Sequence, residues 1–146
     1  MIVRKYGITL ERLREKDTEL VRKHRNDPWL ASHMEYREHI SPDMQKEWFA
    51  SIDNFNNFYF LIIYEGKKIG LINSSDIKWE EISSKGGIFI WDREYIETYI
   101  PVLASLLLLE TNFTVFRAKH SYIKTLKDNP RAIKLNKSLG YKIMPG

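Results

Sequence analysis

A chain of 146 residues is long enough to bury one hydrophobic core and too short for two domains of ordinary size. Its 43% apolar and 13% aromatic residues, spread along the whole length, exclude a disordered chain, and the absence of cysteine excludes disulfide scaffolds, thiolate zinc sites and cysteine nucleophiles. The net charge of +4, from 23 basic and 19 acidic residues interleaved as in KHRND and REKDTE, lacks the dense basic stripe of a nucleic-acid binder.

The opening MIVRKYGITLERLREKD has no uninterrupted apolar stretch of the kind that begins an export signal, and the longest apolar run, residues 100–109, is about half a membrane span. A cytoplasmic protein that does not enter the membrane is expected. Residues 6–13 alternate Ile8, Leu10 and Leu13 with polar neighbours, which predicts a half-buried first strand. Asp17 opens a helix that Asn26-Asp27-Pro28 ends. Ser41-Pro42 caps and starts a second helix, with Met44, Trp48, Phe49 and Ile52 expected on its inner side.

FYFLIIY (58–64) and KIGLINSSDI (68–77) read as two strands joined by a hairpin at Glu65-Gly66-Lys67. The polar loop 80–85 leads into a third strand, GIFIW (87–91), and DREYIETY turns the chain into a helix over 101–113. Val102, Leu103, Leu106, Leu107 and Leu109 make that helix apolar nearly all round, so it must be covered on more than one side. Residues 120–126 read as another strand, Asn129-Pro130 begin a last helix with Ala132, Ile133, Leu135 and Leu139 inward, Gly140 stops it, and a short strand can follow. The order is β-α-α-β-β-β-α-β-α-β in a single α/β (α+β) domain spanning 1–146.

A ligand is expected at the last strand-loop-helix, because free peptide N–H groups at a helix start suit an anion and ligands favour the carboxyl ends of strands. Asn129 can cap the helix, while Arg131, Lys134 and Lys137 can hold phosphates; the same residues also describe a capped amphipathic helix with a solvated basic face. Candidate general bases are Asp76, Glu80, Glu81 and His120, each of which also reads as a solvated or structural side chain. The four histidines, 24, 33, 39 and 120, form no ligand pair at helical spacing, and no metal is predicted. The stretch FNNFYF, with Trp48, Trp79 and Trp91, can stack under an acceptor or serve as core.

NPRAIKLNKSLGYK resembles a motif of the GNAT superfamily of acetyltransferases: Asn129, Ala132, Ile133, Leu135, Leu139, Gly140 and Tyr141 match at its spacing. LREKDTELVRKHRNDPWLASHM, ISPDMQKEWF and YFLIIYEGKKIGLINSSDI resemble the opening of the branch that holds acetyltransferases of ribosomal proteins and of nucleotide-linked amino sugars. The resemblance implies a mixed, mostly antiparallel central sheet flanked by helices, and transfer of acetyl from acetyl-CoA to a primary amine, with a nucleotide-linked amino sugar as the acceptor class. By resemblance, Phe89, Ile90 and Trp91 lie along the pantetheine arm. Ile96, Glu97, Thr98, Tyr99 and Ile100 form the diphosphate loop, with Asn129, Arg131, Ala132 and Lys137 beyond it. Arg25, Asn26 and Met34 lie on the acceptor side.

The chain departs from that pattern twice. Where the family has a glycine-rich run, residues 96–101 hold no glycine, and Pro101 removes one N–H donor, although the Thr98 hydroxyl could substitute. Where many members carry a tyrosine acid stands Asn136, which can donate a hydrogen bond to sulfur without acting as an acid. A second reading is therefore a non-catalytic GNAT-like domain that binds a ligand or partner. The shortened C-terminus leaves the strand at 120–126 poorly covered, which predicts a homodimer joined along that edge or by exchanged C-terminal tails.

Overall fold

Tyr6 and Gly7 both have positive φ, 59° and 75°, as a two-residue type I′ turn requires, and they join β1 (Ile2–Lys5) to β2 (Ile8–Arg12). The sequence reading began a single strand at Tyr6 and so missed β1. The reason is physical: a tyrosine pays a steric penalty in the left-handed region, so Tyr-Gly carries none of the signal of Asn-Gly. The turn is held from outside, since the Tyr6 hydroxyl donates to Glu110 and the Lys5 ammonium pairs with the same carboxylate at 3.1 Å. The computed structural model describes residues 1–32, 39–80, 83–114 and 120–123.

Beyond β2, a 3-10 turn at Glu15–Asp17 leads into α1 (Thr18–Arg25), the short α2 (Pro28–Ala31) and α3 (Pro42–Ile52). Ser41 caps α3 by accepting from the Met44 N–H at 3.1 Å, with Pro42 in the first turn as its sequence predicts. Trp48 and Phe49 pack inward as expected, and the buried face departs from expectation at Met44. Met44 is exposed, and Gln45 next to it is the enclosed residue, its amide donating to the Thr18 carbonyl at 3.1 Å on α1. A buried polar group is tolerated there because it is paired.

β3 (Phe58–Tyr64) and β4 (Lys67–Lys78) meet at a second two-residue turn, Glu65-Gly66, again with both φ positive. β5 (Ser83–Ile90) begins earlier than its apolar core suggests, so part of the expected polar loop is strand. α4 (Ile100–Thr114) follows, then β6 (His120–Ile123). The sheet runs in order β1-β2-β3-β4-β5-β6, antiparallel except for the β5–β6 pair, which is parallel. Of the strand predicted over 120–126, the first four residues are described, and the last helix and the short strand after it lie outside the described residues.

Alternation along the strands divides the core. Ile8, Leu10, Phe60, Ile62 and Ile72 pack with Ala104, Leu107 and Leu108 of α4, while Leu61, Leu71, Phe89 and Trp91 pack with Val21 of α1 and Leu30 of α2. On the second face His24 stacks flat on Trp91, with ring centroids 4.6 Å apart. Burial and then the Lys23 charge hold its imidazole below the ordinary 6.5. A base depressed in the folded state is stable neutral, so its contribution is complete above pH 6.5 and is lost as acid forces the proton on. Thermal melts from pH 7.5 down to 5 should show a fall in Tm that His24→Phe, which keeps the stack, reduces.

Candidate active site

β6 pairs with β5 from Ser83 to Gly86, and among the described residues the half of β5 from Gly87 onward has no partner on its β6 side. The Trp91 N–H donates to the Ile69 carbonyl of β4 at 3.0 Å, and peptide groups alternate sides in an antiparallel ladder. The backbone of Phe89 and Trp91 therefore faces β4, while that of Ile88 and Ile90 faces the open side. Their side chains differ too: Phe89 and Trp91 are 8% and 6% exposed within the core, and the Trp91 indole donates to the Lys68 carbonyl at 2.8 Å. An exposed strand edge of this kind can receive an extended chain that carries amides.

The loop after β5 is tied to itself. Asp92 caps a 3-10 turn at Arg93–Tyr95, and the Thr98 hydroxyl donates to the Tyr95 carbonyl at 2.6 Å while accepting from the Ile100 N–H at 3.2 Å. Thr98 thus occupies one donor of the first turn of α4, and Pro101 lacks another. Glu97 and Tyr99 are exposed and Ile96 and Ile100 half-buried. Of the donor the resemblance implies, the residues present fit the amide-bearing arm, whereas two N–H donors at the start of α4 are not offered to a diphosphate, one being taken by Thr98 and one lacking at Pro101.

On the face covered by α1 and α3, Tyr59, Asn73 and Gly87 are direct neighbours in register across β3, β4 and β5. Gly87 permits a close approach: a β-carbon there would stand 2.9 Å from the Asn73 amide oxygen, so only glycine lets that amide lie against β5. The Asn73 amide donates to the Ser75 hydroxyl at 3.0 Å. Trp48 meets Tyr59 edge-on at 5.1 Å, and the Arg25 guanidinium lies 5.3 Å over Trp48. Burial raises the Tyr59 phenol above its ordinary 10.0, so it stays a hydrogen-bond donor at neutral pH; burial also lowers Arg25, partly opposed by Tyr59. The row therefore leads from a polar cluster beneath the helices to the point where β5 opens.

Other residues singled out by sequence sit differently. Both ends of the Asn26 amide are engaged with the backbone of Ile40, at 2.9 and 2.8 Å, which ties the segment before α3 to α1. Asp76 occupies the left-handed region (φ 50°) at a bulge in β4, is exposed, and pairs with Lys85 at 3.1 Å. Glu80 is exposed in the turn after β4. His120 is in β6 opposite Ser83. Met34, Glu81, Asn129, Arg131, Ala132, Asn136 and Lys137 lie outside the described residues. Sequence reading missed Ile88, Asn73 and Ser75, whose roles depend on strand register and pleat. Among the described residues no three His, Asp or Glu side chains gather as metal ligands, and no helix is long and apolar enough to cross a membrane.

The fold is similar to that of spermidine N-acetyltransferase from Vibrio cholerae in complex with CoA and spermine, with TM-score 0.84 and 20% identity over 97% of this chain and 84% of that one. A ribosomal L7/L12 α-N-protein acetyltransferase, RimL, in complex with coenzyme A gives TM-score 0.86 at 12% identity, covering 99% and 86% of the two chains. A domain from Methanocaldococcus jannaschii gives 0.81 at 22% identity, covering 92% and 88%. Comparison with functionally curated sequences gives no match. The sequence pattern of the acetyltransferase (GNAT) domain matches residues 8–142. With nearly the whole chain inside that match, this protein belongs to the GNAT acetyltransferase family, whose members transfer acetyl from acetyl-CoA to amines.

Proposed function

We propose that this chain acetylates a primary amine seated beneath α1 and α3 among Arg25, Trp48, Tyr59, Asn73 and Ser75, with the pantetheine arm of acetyl-CoA paired along Ile88 and Ile90. The observation that carries the reading is the register row Tyr59–Asn73–Gly87, which joins the polar cluster to the open half of β5. The amine nitrogen attacks the thioester carbon, the C–N bond forms as the C–S bond breaks, and the nitrogen proton passes to solvent while the thiolate takes one up. With Asn136 in the position of the family's tyrosine, rate enhancement comes chiefly from holding amine and thioester together. The solved neighbours named for spermidine and for a ribosomal protein support small or peptidic amines over the nucleotide-linked amino sugar expected from sequence.

Thiol release from acetyl-CoA, measured across a panel of primary amines, tests the reading. Amine-dependent release is expected; absence of release together with absence of acetyl-CoA binding in calorimetry would overturn it. Binding without turnover on any amine would favour the non-catalytic alternative, which the self-tied 96–101 loop supports. That loop yields its own prediction. Thr98→Gly with Pro101→Ala frees one N–H and restores another, so the KM for acetyl-CoA should fall about threefold to tenfold, the range of one or two modest hydrogen bonds. An unchanged KM would mean that the diphosphate is held elsewhere.

A further inference from the structure

Arg25 is the last residue of α1 and carries a charge that the described residues do not balance. Its Nε is enclosed and has no hydrogen-bond partner, and its guanidinium rests on the Trp48 ring. Four other described arginines are paired: Arg14 with Glu11, Arg22 with Glu19 and Arg93 with Asp27, while Arg12 reaches the carbonyls of Asn54 and Asn57. Among the described residues no carboxylate forms an ion pair with Arg25. Enclosing a cation without a counter-charge is costly, and contact with an aromatic face offsets only part of that cost.

The position of this charge matters. Trp48 touches Tyr59, and Tyr59 begins the row that ends at Gly87, where β5 opens. Two inter-strand spacings separate Tyr59 from Gly87, roughly 10 Å. A molecule with its amine at the opening and its other end at Arg25 would set an anion against a guanidinium whose enclosed Nε has no partner. A guanidinium takes carboxylate or phosphate oxygens in matching geometry.

We infer that Arg25 binds an anionic group of the acceptor, so that the acceptor is a primary amine that also carries a carboxylate or phosphate several bonds from its nitrogen. The inference rests on the acetyl-transfer reading for the identity of the acceptor, and it sets this chain apart from a protein that takes spermine, a polycation.

Matched amines test it: 4-aminobutyrate against butylamine, phosphoethanolamine against ethanolamine, and spermidine. The wild-type chain should favour at least one anionic member by about tenfold or more in kcat/KM, the worth of a charge-assisted pair, and whichever pair responds identifies carboxylate or phosphate. Arg25→Met should bring that member down to the level of its neutral partner, and Arg25→Lys should recover part of the difference. Equal use of neutral amines, preference for spermidine, or an unchanged preference in Arg25→Met would overturn the inference. Quenching of tryptophan fluorescence by 4-aminobutyrate and by phosphoethanolamine gives a readout that needs no turnover. Saturable quenching by either that is lost in Arg25→Met supports the inference even if no amine is acetylated. Its absence for both in the wild type counts against the inference while leaving acetyl transfer to be judged by thiol release.

Discussion

Gly70→Val should lower stability by about 3 kcal/mol, the upper part of the usual range for forcing atoms into a packed site. A β-carbon at Gly70 would stand 2.6 Å from the Phe89 carbonyl oxygen, 2.9 Å from the Ile90 Cδ1 and 3.1 Å from the Ile90 Cα. The first and last of these are backbone atoms, so no side-chain rotation relieves the clash. β4 and β5 must separate where Gly70 faces Ile90. For a chain of this length, the loss corresponds to roughly 6–12 °C in Tm, measurable by thermal or urea denaturation. Moving Ile90 also displaces the open edge, so residual folded protein should bind acetyl-CoA more weakly. A loss under about 1 kcal/mol would show that the two strands can slide apart without penalty.

Ile88→Pro should raise the KM for acetyl-CoA about tenfold relative to Ile88→Ala, with both variants folded. The Ile88 side chain packs on the α4 face and is shortened in both. The difference between them is the N–H that faces the open edge, and a hydrogen bond of ordinary net strength accounts for such a factor. Proline is tolerated where a strand's N–H points away from its neighbour. One residue further along the result inverts: Leu71 and Phe89 face each other within the ladder, so Phe89→Pro removes a bond to β4 and should prevent folding. Initial-rate kinetics and circular dichroism on the three variants check the alternation. Equal KM values for the proline and alanine variants at position 88 would mean that the donor does not pair with this edge.

FYFLIIY forms β3 with the boundaries its apolar run implies, Ser41-Pro42 starts a helix, and Glu65-Gly66 turns a hairpin, because each is encoded by side chains within a few residues. Tyr6-Gly7 was missed because the residue in the left-handed position is held by Glu110, more than a hundred residues away. On α3, Trp48 and Phe49 face inward as expected and Met44 alone does not, because hydrophobicity favours Met44 over Gln45 whereas the Thr18 carbonyl on another helix rewards the amide.

The candidate site divides in the same way. The motif that marks the family is a run of adjacent residues, and the sequence by itself determined the family and most strand positions. Which residues meet was decided only by the tertiary structure. Tyr59, Asn73 and Gly87 are separated by 14 residues at each step and become neighbours through register. Thr98 looked available for a phosphate, yet folding commits its hydroxyl to Tyr95 and Ile100. Arg25 looked like part of a helix-ending turn, and only the packing of α1 over Trp48 leaves its charge enclosed. Local preference sets the conformation of a segment, but whether a polar group ends up paired depends on what distant parts of the chain bring to it.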